Sequence, residues 1–120
     1  MQRVVHFEIP ADDPERAQQF YGEIFGWQFQ KFGDYPYWLV ITGPEGTRGI
    51  NGGLMLKKPG QPVVNSIEVP SVDEYIATVE AKGGKNVVPK MTIPGVGYAA
   101  YCTDTEGNIF GLYQEDPGAK

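Results

Sequence analysis

Two different periods run through the apolar positions of this chain, and each returns once in the same order. Residues 4–9 read as a strand. Asp13 then offers a helix N-cap, and Pro14 suits the first helical position. Ala17, Phe20, Tyr21, Ile24 and Phe25 follow at helical spacing, which predicts a helix with one buried face, ended at Gly26. Three β-like segments come next, at 27–32, 37–42 and Gly52–Leu56, separated by turn residues such as Gly33-Asp34 and Gly43-Pro44. Residues 57–62 hold two prolines, a glycine and no large apolar side chain, and read as a linker.

Beyond the linker the order repeats. Residues 63–69 predict a strand, and Ser71 with Glu74 three positions later makes a capping box. Val72, Tyr75, Ile76 and Val79 repeat the helical stripe, and Gly83-Gly84 closes it. Strands at 86–89, 98–103 and 109–113 complete the set, with residues 104–107 as the turn between the last two. An offset of 60 places Glu8 on Glu68, Pro10 on Pro70, Asp13 on Asp73 and Ala17 on Ala77. A βαβββ unit alone leaves one apolar sheet face uncovered, so two units are expected to pair. The expected fold is therefore α+β. Two βαβββ modules, about 1–57 and about 63–116, form a cupped eight-stranded mixed sheet with the helices outside, in one domain spanning 1–120.

Alternation within the first strand of each module divides its side chains. Val5, Phe7 and Ile9 fall on the helix side, leaving Val4, His6 and Glu8 opposite. In the second module Asn65, Ile67 and Val69 take the helix side, and Val64, Ser66 and Glu68 lie opposite. The uncovered faces are the more polar pair, which suits a curved sheet that holds a small molecule in a cleft.

Composition narrows the classes of function. Hydrophobic residues make up 41% and charged residues 21% of the 120 positions, ordinary values for a globular chain. A net charge of −5 with Lys57-Lys58 as the only basic pair argues against a nucleic-acid partner, which needs a phosphate-neutralising patch. No apolar run reaches the roughly 20 residues that cross a bilayer, and the N-terminus lacks a signal-peptide pattern, so a cytoplasmic protein without a membrane partner is expected. The single cysteine, Cys102, excludes an internal disulfide and fits a reducing compartment.

The run from His6 through Phe7, Glu8, Ile9, Pro10, Ala11, Asp12, Asp13, Pro14, Glu15 and Arg16 to Ala17, with Phe20-Tyr21 and then Phe25-Gly26-Trp27, resembles the opening module of the glyoxalase/bleomycin-resistance/extradiol-dioxygenase superfamily (vicinal oxygen chelate fold). Val69-Pro70-Ser71-Val72-Asp73, Gly83-Gly84 and the stretch from Asp104 to Leu112 resemble its second module. The resemblance implies a homodimer, a small-molecule ligand and, in the family's enzymes, a divalent metal such as zinc, nickel or iron held by both modules. His6 falls where the first ligand histidine would be. The other ligand positions hold Val64 (or Ser66, by the internal offset) and Gly111, and residues 49–56 contain no Asp, Glu or His. One imidazole does not hold a zinc or nickel ion by itself, so the residues argue for no metal cofactor.

The ligand-binding candidates are then His6, Glu8, Glu68, Trp38 and Tyr101. Paired carboxylates at Glu8 and Glu68 would favour a cation, and alternation lets Tyr37 or Trp38 face the cleft, but not both. Arg48 is the one cation of the glycine-rich stretch 43–53, which lacks the Gly-Lys-Ser/Thr of a phosphate loop. Cys102 reads as a buried, inert thiol. Three functions stay open: a metal-free binder or sequestering protein; a lyase, isomerase or dioxygenase-like enzyme with an atypical metal site around His6; and a regulatory subunit.

Overall fold

A computed structural model of the protein describes residues 2–120. Its elements are β1 (Val4–Ala11), α1 (Pro14–Phe25), β2 (Gln28–Lys31), β3 (Tyr37–Ile41), β4 (Gly52–Leu56), β5 (Val64–Glu68), α2 (Val72–Ala81), β6 (Lys85–Ile93), β7 (Gly97–Thr103) and β8 (Ile109–Glu115). The fold is α+β, with βαβββ occurring twice and eight strands in a mixed sheet. Two compact units divide the chain: His6–Val63, and Val64–Lys120 together with the N-terminal end through Val5. Among the described residues no helix is long and apolar enough to cross a membrane.

In the first unit the strand order is β2-β3-β4-β1. The pairings β2/β3 and β3/β4 are antiparallel, and β1 runs parallel to β4 with Glu8 opposite Gly53. Helix α1 begins where expected, because Asp13 is extended and its Oδ1 accepts the Arg16 N–H at 3.2 Å. It ends at Gly26, whose φ of 74° lets the chain leave the helix while its N–H still bonds the Gly22 carbonyl at 2.9 Å. Val40 and Leu54 are fully buried.

The stripe on α1 departs from expectation. No residue of α1 is fully buried, and Phe20, Ile24 and Phe25 are 56%, 54% and 58% exposed. The aromatic members pack on one another and on the strand-leading Trp27 instead of sinking under the sheet. Tyr21 stacks on Trp27 at 5.1 Å and 8°, Phe25 lies 5.5 Å from Trp27, and Phe20 meets Tyr21 edge-on at 5.3 Å. Ring-on-ring contact satisfies part of each side chain and leaves its outer face open.

The second unit has the order β5-β8-β7-β6, with β5 parallel to β8. Its core is Val69, Val72, Ala100, Cys102 and Leu112, with Ile67, Tyr75, Ile76, Val79, Tyr98 and Phe110 packed around it. The start of α2 is tied down twice. Ser71 Oγ accepts the Glu74 N–H at 3.2 Å, as the capping box predicts, and Gln114 Oε1, from β8, accepts the Val72 N–H at 3.0 Å. That second cap comes from 42 positions away and has no local sequence signal. Strand β6 also runs well past the expected 86–89, continuing through Pro89 to Ile93. Its pairing with β7 shifts register between Asn86 and Val88 and again between Val88 and Met91. At the end of the order a strand tolerates a proline, because the missing N–H falls in a bulge.

These exposures predict two different costs. Leu54→Ala should lower the unfolding free energy by about 2–5 kcal/mol in urea titration. Ile24→Ala should cost less than about 1 kcal/mol, and a loss as large as that of Leu54→Ala would mean that the α1 stripe is covered in solution.

Candidate functional site

The polar residues of β1 meet an aromatic residue of β3 across the strand that separates them. Registers place Glu8, Gly53 and Leu39 in one row, and Pro10, Met55 and Tyr37 in the next. His6, Glu8, Tyr37, Leu39 and Met55 therefore share one side of this unit's sheet, while Phe7, Trp38, Val40 and Leu54 take the other. From the β3 side the Tyr37 ring lies over Gly53, where a Cβ would overlap its hydroxyl. Its Oη sits 2.7 Å from His6 Nε2 and donates to Glu8 Oε2 at 3.2 Å. All three side chains are half-buried.

A carboxylate only accepts, so in the contact with Glu8 the Tyr37 phenol is the donor. In the contact with His6, which group donates is set by the imidazole tautomer. Burial pushes the His6 imidazole below its ordinary value, and the Glu8 carboxylate opposes that shift.

A family model described as "Bleomycin resistance protein-like N-terminal" matches residues 3–43. A "Glyoxylase-like domain-containing protein" of Didymella fabae is 36% identical over 113 residues, covering 88% of this chain and 88% of that protein. The chain belongs to the glyoxalase/bleomycin-resistance superfamily. Among solved structures, a glyoxalase/bleomycin resistance protein/dioxygenase superfamily member from Vibrio splendidus matches with a TM-score of 0.68 at 16% identity, over 96% of this chain and all (100%) of that one. Methylmalonyl-CoA epimerase from Mycobacterium tuberculosis matches with a TM-score of 0.63 at 15% identity, over 95% of this chain and 88% of that one. At such identities these two similarities speak for the fold alone.

The superfamily's usual metal does not fit the side chains gathered here. Among the described residues no three His, Cys, Asp or Glu side chains come together as a metal-holding group. His6 and Glu8 are joined through Tyr37, so His6 Nε2 already has a protein partner.

The remaining candidates lie elsewhere. Trp38 takes the side of β3 opposite Tyr37, with Lys31 Nζ 5.7 Å from its ring centroid. Glu68 and Tyr101 belong to the second unit, on the side of its sheet away from the core that packs on α2. There Glu68 stands opposite Tyr113 and lines a cavity of about 330 Å³ with Gln2, Val69, Pro70, Gln114 and Glu115. The two carboxylates and burial push the Tyr113 phenol up, burial being the larger cause. Cys102 is a core residue, and burial raises its thiol above the ordinary range, as an inert cysteine requires. Sequence reasoning left Tyr37 as one of two alternatives and did not find Gly53. A signal existed in Gly52-Gly53, because a glycine on a middle strand marks a close approach from a neighbour.

His6 gives a pH signature with a definite sign. Its folded pKa lies below the 6.5 of a free imidazole, so the folded state binds less proton than the unfolded state. The stabilisation is complete above pH 6.5 and is lost as the pH falls from there through the folded value. Thermal melts between about pH 7.5 and 5 should show the melting temperature falling in the native protein and a flatter profile in His6→Gln. A profile that rises on acidification would contradict the assignment of a neutral imidazole.

Proposed function

We propose that this protein binds a small molecule on the face of the first module that carries His6, Glu8 and Tyr37, without the superfamily's usual metal centre. The observation behind the proposal is the continuous hydrogen-bonded run from His6 through Tyr37 to Glu8. It fixes three polar groups in one orientation beside the apolar Leu39 and Met55. A few fixed polar groups in an otherwise apolar surface are what small-molecule recognition needs. Glu68 and Tyr101, on the uncovered face of the second module, are proposed as further ligand contacts, and a homodimer in the cytoplasm as the working assembly.

Acyl-CoA epimerase names among fold relatives keep one second reading alive, a metal-dependent lyase, isomerase or dioxygenase-like enzyme built around His6. Elemental analysis of protein purified without a histidine tag or chelator separates the two. Stoichiometric zinc, nickel or iron, lost in His6→Ala, would establish the second reading and end the first.

For the binding reading itself, a fragment library screened by thermal shift should yield ligands whose affinity falls in Tyr37→Phe and falls further in Gly53→Ala. Removing the Tyr37 hydroxyl takes a partner from both His6 Nε2 and Glu8 and should cost about 1–3 kcal/mol of stability as well. Ligands indifferent to both substitutions would place binding on another surface.

A further inference from the structure

Resting on the homodimer proposed above, the outer side of α1 points to the surface through which it forms. We infer that two copies of this chain pair through α1 in antiparallel fashion, with Phe20 of each helix seated on Ala17 of the other. Gly22 faces the sheet, since a Cβ there would lie 3.4 Å from the Trp27 carbonyl oxygen and 3.9 Å from the Phe29 ring. Each helical residue turns the chain by about 100°, so Phe20 and Ile24, both two positions from Gly22, stand on the opposite side. They are 56% and 54% exposed. Ala17, Phe20 and Ile24 fall at i, i+3 and i+7, the seam along which two helices pack. Beside Ala17 a groove of about 310 Å³ extends to Ala11 and Asp13, walled by Phe20 and Tyr21.

Charge identifies a second copy as the occupant. Arg16 and Glu23 flank the seam on one side, seven positions apart. Both are exposed, and among the described residues neither is ion-paired. In an antiparallel pair each flank meets the same flank of the other helix. The register that sets Phe20 on the partner's Ala17 also sets Arg16 beside the partner's Glu23, and two-fold symmetry makes that contact twice. It carries Ile24 toward the partner's Asp13, where the groove lies. Each copy thus supplies one apolar projection, one hollow and one charge of each sign, as a self-complementary contact requires. An anionic lipid surface suits this helix less well, because Asp12, Asp13, Glu15 and Glu23 outnumber Arg16.

Sedimentation equilibrium of the full chain over a range of concentrations tests the pairing. Contact along one helix of 12 residues buries less than the roughly 800 Å² per partner of a standard stable interface, so dissociation is expected near about 10–100 μM. The small cost expected of Ile24→Ala in urea then belongs to the separated chain, at about 1 μM. Arg16→Glu and Glu23→Arg should each weaken pairing about tenfold, because like charges then meet at both contacts. Both changes suit the helix dipole, so neither endangers the fold. An equimolar mixture of the two variants should dimerise again, since opposite charges then face each other at both contacts.

A chain that stays monomeric up to about 500 μM would overturn both the homodimer and this surface. A dimer indifferent to either charge reversal, or a mixture that pairs no better than each variant alone, would overturn the surface and leave the homodimer standing.

Discussion

Neighbouring strands lie about 4.8 Å apart, so a residue of β3 and one of β1 are separated by about 10 Å across β4. A tyrosine bridges that gap only by lying flat over the middle strand, and a side chain on that strand at the crossing point would lift it away. Gly53 is the residue there, and it is buried although it has no side chain of its own, because the Tyr37 ring covers it. The contact between Tyr37 and the two polar residues of β1 depends on this one missing Cβ. So does the link between His6 and Glu8, which runs through the Tyr37 hydroxyl. The Gly52-Gly53 pair serves both faces: a Cβ at Gly52 would meet the Phe7 ring on the opposite side of the strand.

Much of the fold was legible because its signals are local. The N-cap at Asp13, the left-handed Gly26, the Ser71 cap and the strand Gly52–Leu56 all sit where the pattern of the chain puts them. What was not legible depended on partners distant in sequence. Helical spacing identifies an apolar stripe on α1 but not how much sheet is available to cover it. Here Tyr21 and Phe25 turn to Trp27, leaving Phe20, Ile24 and Phe25 more than half exposed. Likewise, β6 reads as ending at Pro89, because a proline normally terminates pairing, yet two register shifts carry the strand past it. The candidate site was legible by half. Alternation identified His6 and Glu8 on the uncovered face and reduced the choice of aromatic to Tyr37 or Trp38. Only the registers β3/β4 and β1/β4 put Tyr37 beside them.

The two modules share an order of elements but not a distribution of chemistry. At the position matching His6, the second module has Ser66, buried at 8% exposure with Gly111 of β8 paired beside it. A Cβ at Gly111 would overlap the Ser66 hydroxyl, so this pair is a close backbone approach filled by a small side chain. The second module instead concentrates its apolar burial on the other face, where Val72, Ala100, Cys102 and Leu112 pack under α2. The matching first-module face buries Val40 and Leu54 completely.

A histidine in the first strand can serve a metal or a hydrogen-bond network, and its second neighbour decides which. A metal ligand needs a bare nitrogen and an outer acceptor for the other ring N–H. In this chain the acceptor exists, as Tyr37 backed by Glu8, but the further carboxylates and histidines that would complete a metal's shell do not gather around it among the described residues. The same backing that would orient a metal-bound imidazole then holds the ring within a hydrogen-bonded run. Burial disfavours the imidazolium, and Glu8 limits that effect without reversing it. What holds the His6 ring lies two strands away, in a tyrosine, and in the glycine that lets it across.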